Sequence, residues 1–157
     1  MIRESIIDAA EELLAEYAQR IDDDRLEEWL DLFTEDARYE VIPRENVEQD
    51  LPASLMLCTN KRMLRDRVTA LRSANEYNLH YDRHLVGSIR VLPYREAEWR
   101  LHAAYAVYQT TLEGVSRLFS VGCYRDQVRM EGGRLMFSEK KVVVDTFSVP
   151  TLLAIPL

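Results

Sequence analysis

Lysine, cysteine, glycine and long apolar runs are all scarce in this sequence, and each shortage excludes a class of protein. Two cysteines in 157 residues, Cys58 and Cys123, cannot build a disulfide scaffold. They have no metal-ligand spacing and read as reduced, buried thiols of a cytoplasmic protein. Five glycines, at 87, 114, 122, 132 and 133, form no phosphate-cradling loop. Serine elbow, zinc knuckle and iron–sulfur cysteine set are equally missing. With only 5 Gly and 5 Pro the chain is neither disordered nor collagen-like. No run approaches the roughly 18–20 apolar residues that span a bilayer. The opening Met1-Ile2-Arg3-Glu4-Ser5 leads into an acidic amphipathic segment, which is not a secretory signal.

Charge narrows the field further. With 20 Lys+Arg against 27 Asp+Glu the formal net charge is −7. Such a chain is a poor ligand for nucleic acid, where phosphate neutralisation supplies most of the affinity, and for an anionic membrane. Of the 20 basic residues only Lys61, Lys140 and Lys141 are lysine. Genomic base composition accounts for that bias, and so does a surface built for partners, because the planar arginine fork suits interfaces.

What is present is one domain's worth of chain, residues 1–157, with no repeat and no linker. Its first half is helical in pattern and its second half a run of long strands, which predicts an α+β fold. Ile7, Ala10, Leu14, Tyr17 and Ile21 share one face of a first helix starting at Ser5. Asp24 and Glu27 form a capping-box pair for a second, with Leu26, Trp29, Leu30 and Phe33 on its apolar face. A short strand over 38–42 ends at Pro43. Residues 43–60 read as irregular, with a second short strand at 55–58. Asn60 caps a third helix carrying Leu64, Val68, Leu71 and Asn75. Strands over 83–92, 97–112, 115–130 and 135–148 then follow, the last three joined by Glu113-Gly114 and Gly132-Gly133 turns as an antiparallel meander. Gly122 in mid-strand invites a bend.

This order, with the helix-to-strand segment Trp29-Leu30-Asp31-Leu32-Phe33-Thr34-Glu35-Asp36-Ala37-Arg38-Tyr39-Glu40-Val41, resembles the cone-like fold of nuclear transport factor 2, also called cystatin-like. The resemblance implies a curved, mostly antiparallel sheet covered by three N-terminal helices. It does not settle function, because that superfamily holds enzymes, binding modules and assembly subunits.

The richest polar cluster is His80-Tyr81-Asp82-Arg83-His84. Three readings are open: a metal site, a His–Asp general base inside the cone, and a network that fixes the helix-to-strand turn or meets a neighbouring subunit. The metal reading suffers because His80 falls at a helix end and His84 on a strand, which breaks the i,i+4 geometry. Asp22-Asp23-Asp24 is read as a helix N-terminus in place of a metal loop. Glu98, Arg100 and His102 share one strand face as a solvent or interface row. The third helix packs Lys61, Arg62, Arg65, Arg67 and Arg72 around a single Asp66; such a stripe suits an anion or nucleic acid, and with a net charge of −7 it better suits ion pairs with acidic neighbours or another subunit.

A narrower resemblance lies in Met63-Leu64-Arg65-Asp66-Arg67-Val68-Thr69-Ala70-Leu71-Arg72, Ala74-Asn75 and His80-Tyr81-Asp82-Arg83-His84-Leu85-Val86-Gly87. Arg44-Glu45-Asn46, Leu51-Pro52 and the closing Thr151-Leu152-Leu153-Ala154-Ile155-Pro156-Leu157 fit the same pattern. Together they resemble the small (beta) subunits of bacterial aromatic-ring-hydroxylating dioxygenases, nearest to those acting on salicylate, anthranilate or terephthalate. The resemblance implies an accessory, structural subunit with no catalytic, cofactor-binding or metal-binding residue of its own. The Rieske [2Fe–2S] cluster and mononuclear Fe(II) are then expected in the partner large (alpha) subunit. It also implies a homotrimer and an alpha3beta3 hexamer, with Arg65, Arg67, Arg72, Asp82, Arg83 and His84 as subunit-interface residues.

Two alternatives stay open: a stand-alone isomerase or dehydratase, and a hydrophobic-ligand-binding module. Val41 stands where an isomerase needs its acid, while Glu40, Asp36 and His84 remain candidates. Strand alternation predicts Leu85, Ile89 and Val91 toward the helices, and His84, Val86 and Arg90 away from them. On the long strand it places Ala104, Ala106, Tyr108 and Leu112 on a second, surplus apolar face.

Overall fold

The computed structural model describes residues 3–74, 80–145 and 156–157. The chain begins with helix α1 (Arg3–Asp22), then α2 (Leu26–Trp29) and a 3-10 turn (Leu30–Leu32). Strand β1 (Phe33–Pro43), short helix α3 (Arg44–Glu48), strand β2 (Met56–Cys58) and helix α4 (Lys61–Ala74) follow. Four long strands complete it: β3 (His80–Arg95), β4 (Glu98–Thr111), β5 (Ser116–Glu131) and β6 (Arg134–Val144). They form one six-stranded sheet in the order β2-β1-β6-β5-β4-β3. Every pairing is antiparallel except β1 with β6, which joins the β2–β1 pair to the meander by a parallel ladder from Arg38–Glu139 to Pro43–Val144.

The amphipathic periods place the core. On α1 the buried apolar side chains are Ile6, Ala10, Leu13, Leu14, Tyr17, Ala18 and Ile21, while the expected Ile7 is half-buried. The meander supplies Leu101, Ala103, Tyr105 and Val107 from β4 and Tyr124 and Val128 from β5. Each fully buried side chain of this size contributes about 1.5–3 kcal/mol. Asn60 caps α4 as expected, its Oδ1 accepting the Met63 amide N–H at 2.9 Å.

The expected capping box of α2 does not form. Asp24 adopts positive φ and no side-chain cap is made. Both carboxylates instead hold Arg72 of α4, at 2.7 Å (Asp24) and 2.8 Å (Glu27). The stretch expected to be irregular contains α3 as well as β2. Pro93 does not end β3: this is an edge strand, where a missing N–H is tolerated. Asn75 and the 146–155 portions of the last expected strand and of the terminal motif lie outside the described residues.

A β-bulge accounts for the one error of orientation. The β3–β4 register slips between Gly87 and Arg90, and Ser88 takes φ +50°. Each inserted residue flips the faces that follow it. Ile89 and Val91 therefore pack on the core as expected, but before the bulge it is His84 and Val86 that point inward, and Leu85 outward.

Gly132 and Gly133 both have positive φ in the β5–β6 turn, as the hairpin signal requires. Gly122 answers to a different constraint: a Cβ there would overlap the Val143 carbonyl oxygen. Gly122→Ala is expected to lower the unfolding free energy by about 1–3 kcal/mol, measured by urea denaturation, through overpacking.

Candidate functional site

Two adjacent strands each put one charged residue on the inward face: Asp126, between Tyr124 and Val128 on β5, and Lys140, before Val142 and Val144 on β6. Both side chains are fully buried, and Lys140 Nζ donates to Asp126 Oδ2 at 2.7 Å. The other carboxylate oxygen accepts the Lys141 backbone N–H at 3.3 Å. Three rings wrap the ammonium, with Nζ 3.3 Å from the Tyr124 centroid, 4.2 Å from Tyr17 and 4.8 Å from Phe137. Burial pushes the Asp126 carboxyl up to about 6 and the Lys140 ammonium down to about 8.

Around this pair the cone is filled by side chains. Tyr17 donates its hydroxyl to the Leu157 carbonyl oxygen at 2.5 Å, and the Leu157 N–H donates to Tyr39 at 3.2 Å. Tyr105 stacks on Tyr124 at 4.8 Å, its hydroxyl 2.9 Å from that of Ser120. Burial raises the pKa of all four tyrosines. A cavity of about 20 Å3 remains beneath Trp29, bordered by Leu26, Tyr39, Met56, Leu64 and Val68. That is room for about one water and far too little for an aromatic ligand.

His80, Asp82 and His84 all belong to β3, where alternation points the three to the same side, contrary to the expected split between helix and strand. His84 does not face outward as expected. Its Nδ1 lies 2.6 Å from Asp22 Oδ1, and its backbone N–H donates to Asp22 Oδ2 at 2.8 Å. Asp22 is the last residue of α1, so this double contact pins the helix end to the sheet. Asp82 lies 3.3 Å from His80, and burial holds its carboxyl above the usual range against the pull of both histidines. Among the described residues no group of three or more His, Cys, Asp or Glu is arranged to hold a metal ion.

The other residues singled out from the sequence separate. Arg72 is engaged within the chain by Asp24 and Glu27. Arg65 and Arg67 are exposed on α4, and Arg83 on β3. Of the enzyme candidates, Glu40 is buried and bonded to Ser54 and Arg38, while Asp36 binds Arg129 at 2.9 Å. The Asp126–Lys140 pair went unread in the sequence. Its signal was one charged residue at an apolar-face position on each of two neighbouring strands.

Removing one member of a buried pair leaves the other uncompensated, at a cost of about 3–5 kcal/mol. Asp126→Asn is expected to show that loss in urea denaturation at pH 7, and Asp126→Asn with Lys140→Met to recover most of it.

Comparison with known proteins agrees with this geometry. The ring hydroxylating beta subunit family matches residues 16–151. The small subunit of anthranilate 1,2-dioxygenase from Burkholderia cepacia is 42% identical over 141 residues, covering 90% of this chain and 88% of that one. Subunit beta 2 of the terminal oxygenase component of terephthalate 1,2-dioxygenase from a Comamonas species is 32% identical over 143 residues, 91% and 93% of the two chains. A solved beta subunit assigned to an aromatic-ring-hydroxylating dioxygenase of Novosphingobium aromaticivorans superposes with a TM-score of 0.92 at 38% identity over 100% of both chains. A protein assigned as a scytalone dehydratase from the same organism, at TM-score 0.73 and 16% identity over 96% of this chain and 91% of that one, shares the fold alone. The expected family is thus confirmed, the dehydratase alternative is not favoured despite the inward His84–Asp22 pair, and the chain belongs to the ring-hydroxylating dioxygenase beta subunits.

Proposed function

We propose that this chain is the structural, non-catalytic small subunit of an oxygenase acting on an aromatic acid, and that it works as a homotrimer joined to three large subunits. Residues 1–157 are read as one domain in the cytoplasm, in keeping with two free thiols. The Rieske [2Fe–2S] cluster and the mononuclear Fe(II) are assigned to the large subunit. The aromatic-acid assignment rests on the anthranilate and terephthalate relatives.

The observation that carries the structural role is the outward face of β3, β4 and β5. Leu85 stands opposite Ala106, which stands opposite Val121; Arg83 stands opposite Tyr108, which stands opposite Leu118. Leu85 is 55% exposed, Leu118 50% and Tyr81 66%. A contiguous patch of this kind on one side of a sheet marks a protein interface. The interior offers the reverse, a filled cone. Arg83 at the patch and Arg65 and Arg67 on α4 are the exposed members of the proposed interface set. Asp82 and His84 support it from within, and Arg72 is held by Asp24 and Glu27 of its own chain.

Light scattering on the isolated chain is expected to give three times 18.3 kDa. Leu85→Arg with Tyr108→Glu is expected to give the monomer mass with unchanged circular dichroism. A monomeric wild-type chain contradicts the trimer, and turnover of an aromatic acid by the chain alone contradicts the accessory role.

A further inference from the structure

Beside the apolar patch, the same outward sheet face carries a transverse row of basic side chains. Arg90 on β3 stands opposite His102 on β4, which stands opposite Arg125 on β5. Lys141 on β6 continues the row, between the paired positions Tyr124–Val142 and Gln127–Glu139. Arg100 lies two residues along β4 on the same face, its guanidinium 4.5 Å above the Tyr94 ring. Four strands at about 4.8 Å spacing make a row roughly 14 Å long. Like charges directly opposite one another destabilise a sheet.

Among the described residues none of Arg90, Arg100, Arg125 and Lys141 is paired with a carboxylate; the ion pairs nearby use Arg44 with Asp145 and Arg129 with Asp36. Arg125 donates to His102 Nδ1 at 3.0 Å, a cation spending its hydrogen bond on a neutral ring. Burial first, then Arg125, Arg100 and Arg90, hold the His102 pKa below its ordinary value. At its β6 end the row borders Glu40, already committed to Arg38 and Ser54. There it opens on a groove of about 460 Å3 beneath α3, with Val47, Ala104, Cys123 and Val143 as apolar lining; its carboxylates Glu48 and Asp145 are both held by Arg44, which leaves Arg125 and Lys141 as the unpaired charges on its walls.

We infer that this row and groove receive an acidic segment of the large oxygenase subunit, seating an apolar side chain in the groove and carboxylates along Arg90, His102, Arg125 and Lys141. The inference rests on the subunit reading above and names the surface that serves it. A second copy of this chain fits less well. Row set against row repels. Among the described residues, the exposed carboxylates of this chain that carry no ion pair include Asp8, Glu11 and Glu12 on α1, Asp66 on α4, and Glu96 and Glu113 in the turns flanking β4; they are spread over separate elements and do not form one strip opposite the row. The division of labour is then spatial: copies join through the apolar half of the face, and the large subunit docks on the cationic half.

The test is the affinity of the purified large subunit of the same oxygenase for this chain, measured calorimetrically at 50 and 300 mM NaCl, with light scattering in parallel. Wild-type affinity is expected to fall with salt. Arg125→Glu with Lys141→Glu is expected to weaken binding at least tenfold, and Arg125→Gln with Lys141→Gln to weaken it less, with the self-associated mass unchanged in both. Arg62→Glu, an equal charge change on exposed α4, is expected to bind as wild type. In the wild-type complex the His102 titration, followed by NMR, is expected to move up from its free position. Full affinity in the double variants overturns the surface, as does loss of self-association with binding retained. Failure of the wild-type chain to bind overturns the subunit reading and the surface with it.

Discussion

An ammonium group sealed among three aromatic rings sets the terms for the whole interior. A lone buried lysine charge costs several kcal/mol, and Lys140 is retained only because Asp126 stands 2.7 Å away on the next strand. That requirement fixes the register of β5 against β6 and turns Tyr124 and Phe137 toward the same point. Tyr17 from α1 closes the box, so the pair ties helix to sheet as well as strand to strand. Among the described residues, the space around this inaccessible ion pair is taken up by side chains. What the fold gains is a rigid sheet whose outer face holds its shape.

Rigidity there suits a subunit whose work is done by contact. The outward face divides into an apolar half on the early part of β3, the late part of β4 and the start of β5, and a cationic half toward Arg90, Arg100 and Arg125. The arginine bias of the sequence is partly resolved by this division. Arg72 and Arg129 hold elements together within the chain, while the row and the exposed arginines of α4 face outward.

Much of this was legible in the sequence because it rests on local periodicity. The α1 face, the Asn60 cap, the glycine turn at 132–133 and both faces of β4 follow from spacing alone. The orientation of His84 did not, because one bulge at Ser88 shifts the phase of β3, and Gly87 beside it is its one local sign. The Asp24–Glu27 pair was read as a cap, but Arg72, 45 residues beyond Glu27, claimed both carboxylates. The parallel β1–β6 ladder and the Asp126–Lys140 contact are likewise long-range, and an Asp or Lys in a strand says nothing by itself about its partner. The outer cationic row was visible in part, as Glu98, Arg100 and His102 on one face. Only the sheet order brings Arg90, Arg125 and Lys141 beside it.

In the proposed role, the cone interior holds the subunit together and takes no part in chemistry. His84→Asn tests it most directly, since His84–Asp22 is the interior pair that most resembles an acid–base dyad. Oxygenase assembled with the variant is predicted to turn over its aromatic acid, per mole of intact complex, at the wild-type rate and with the wild-type pH profile. A tenfold or greater fall in kcat with the complex intact, accompanied by a shifted pH profile, would contradict the account.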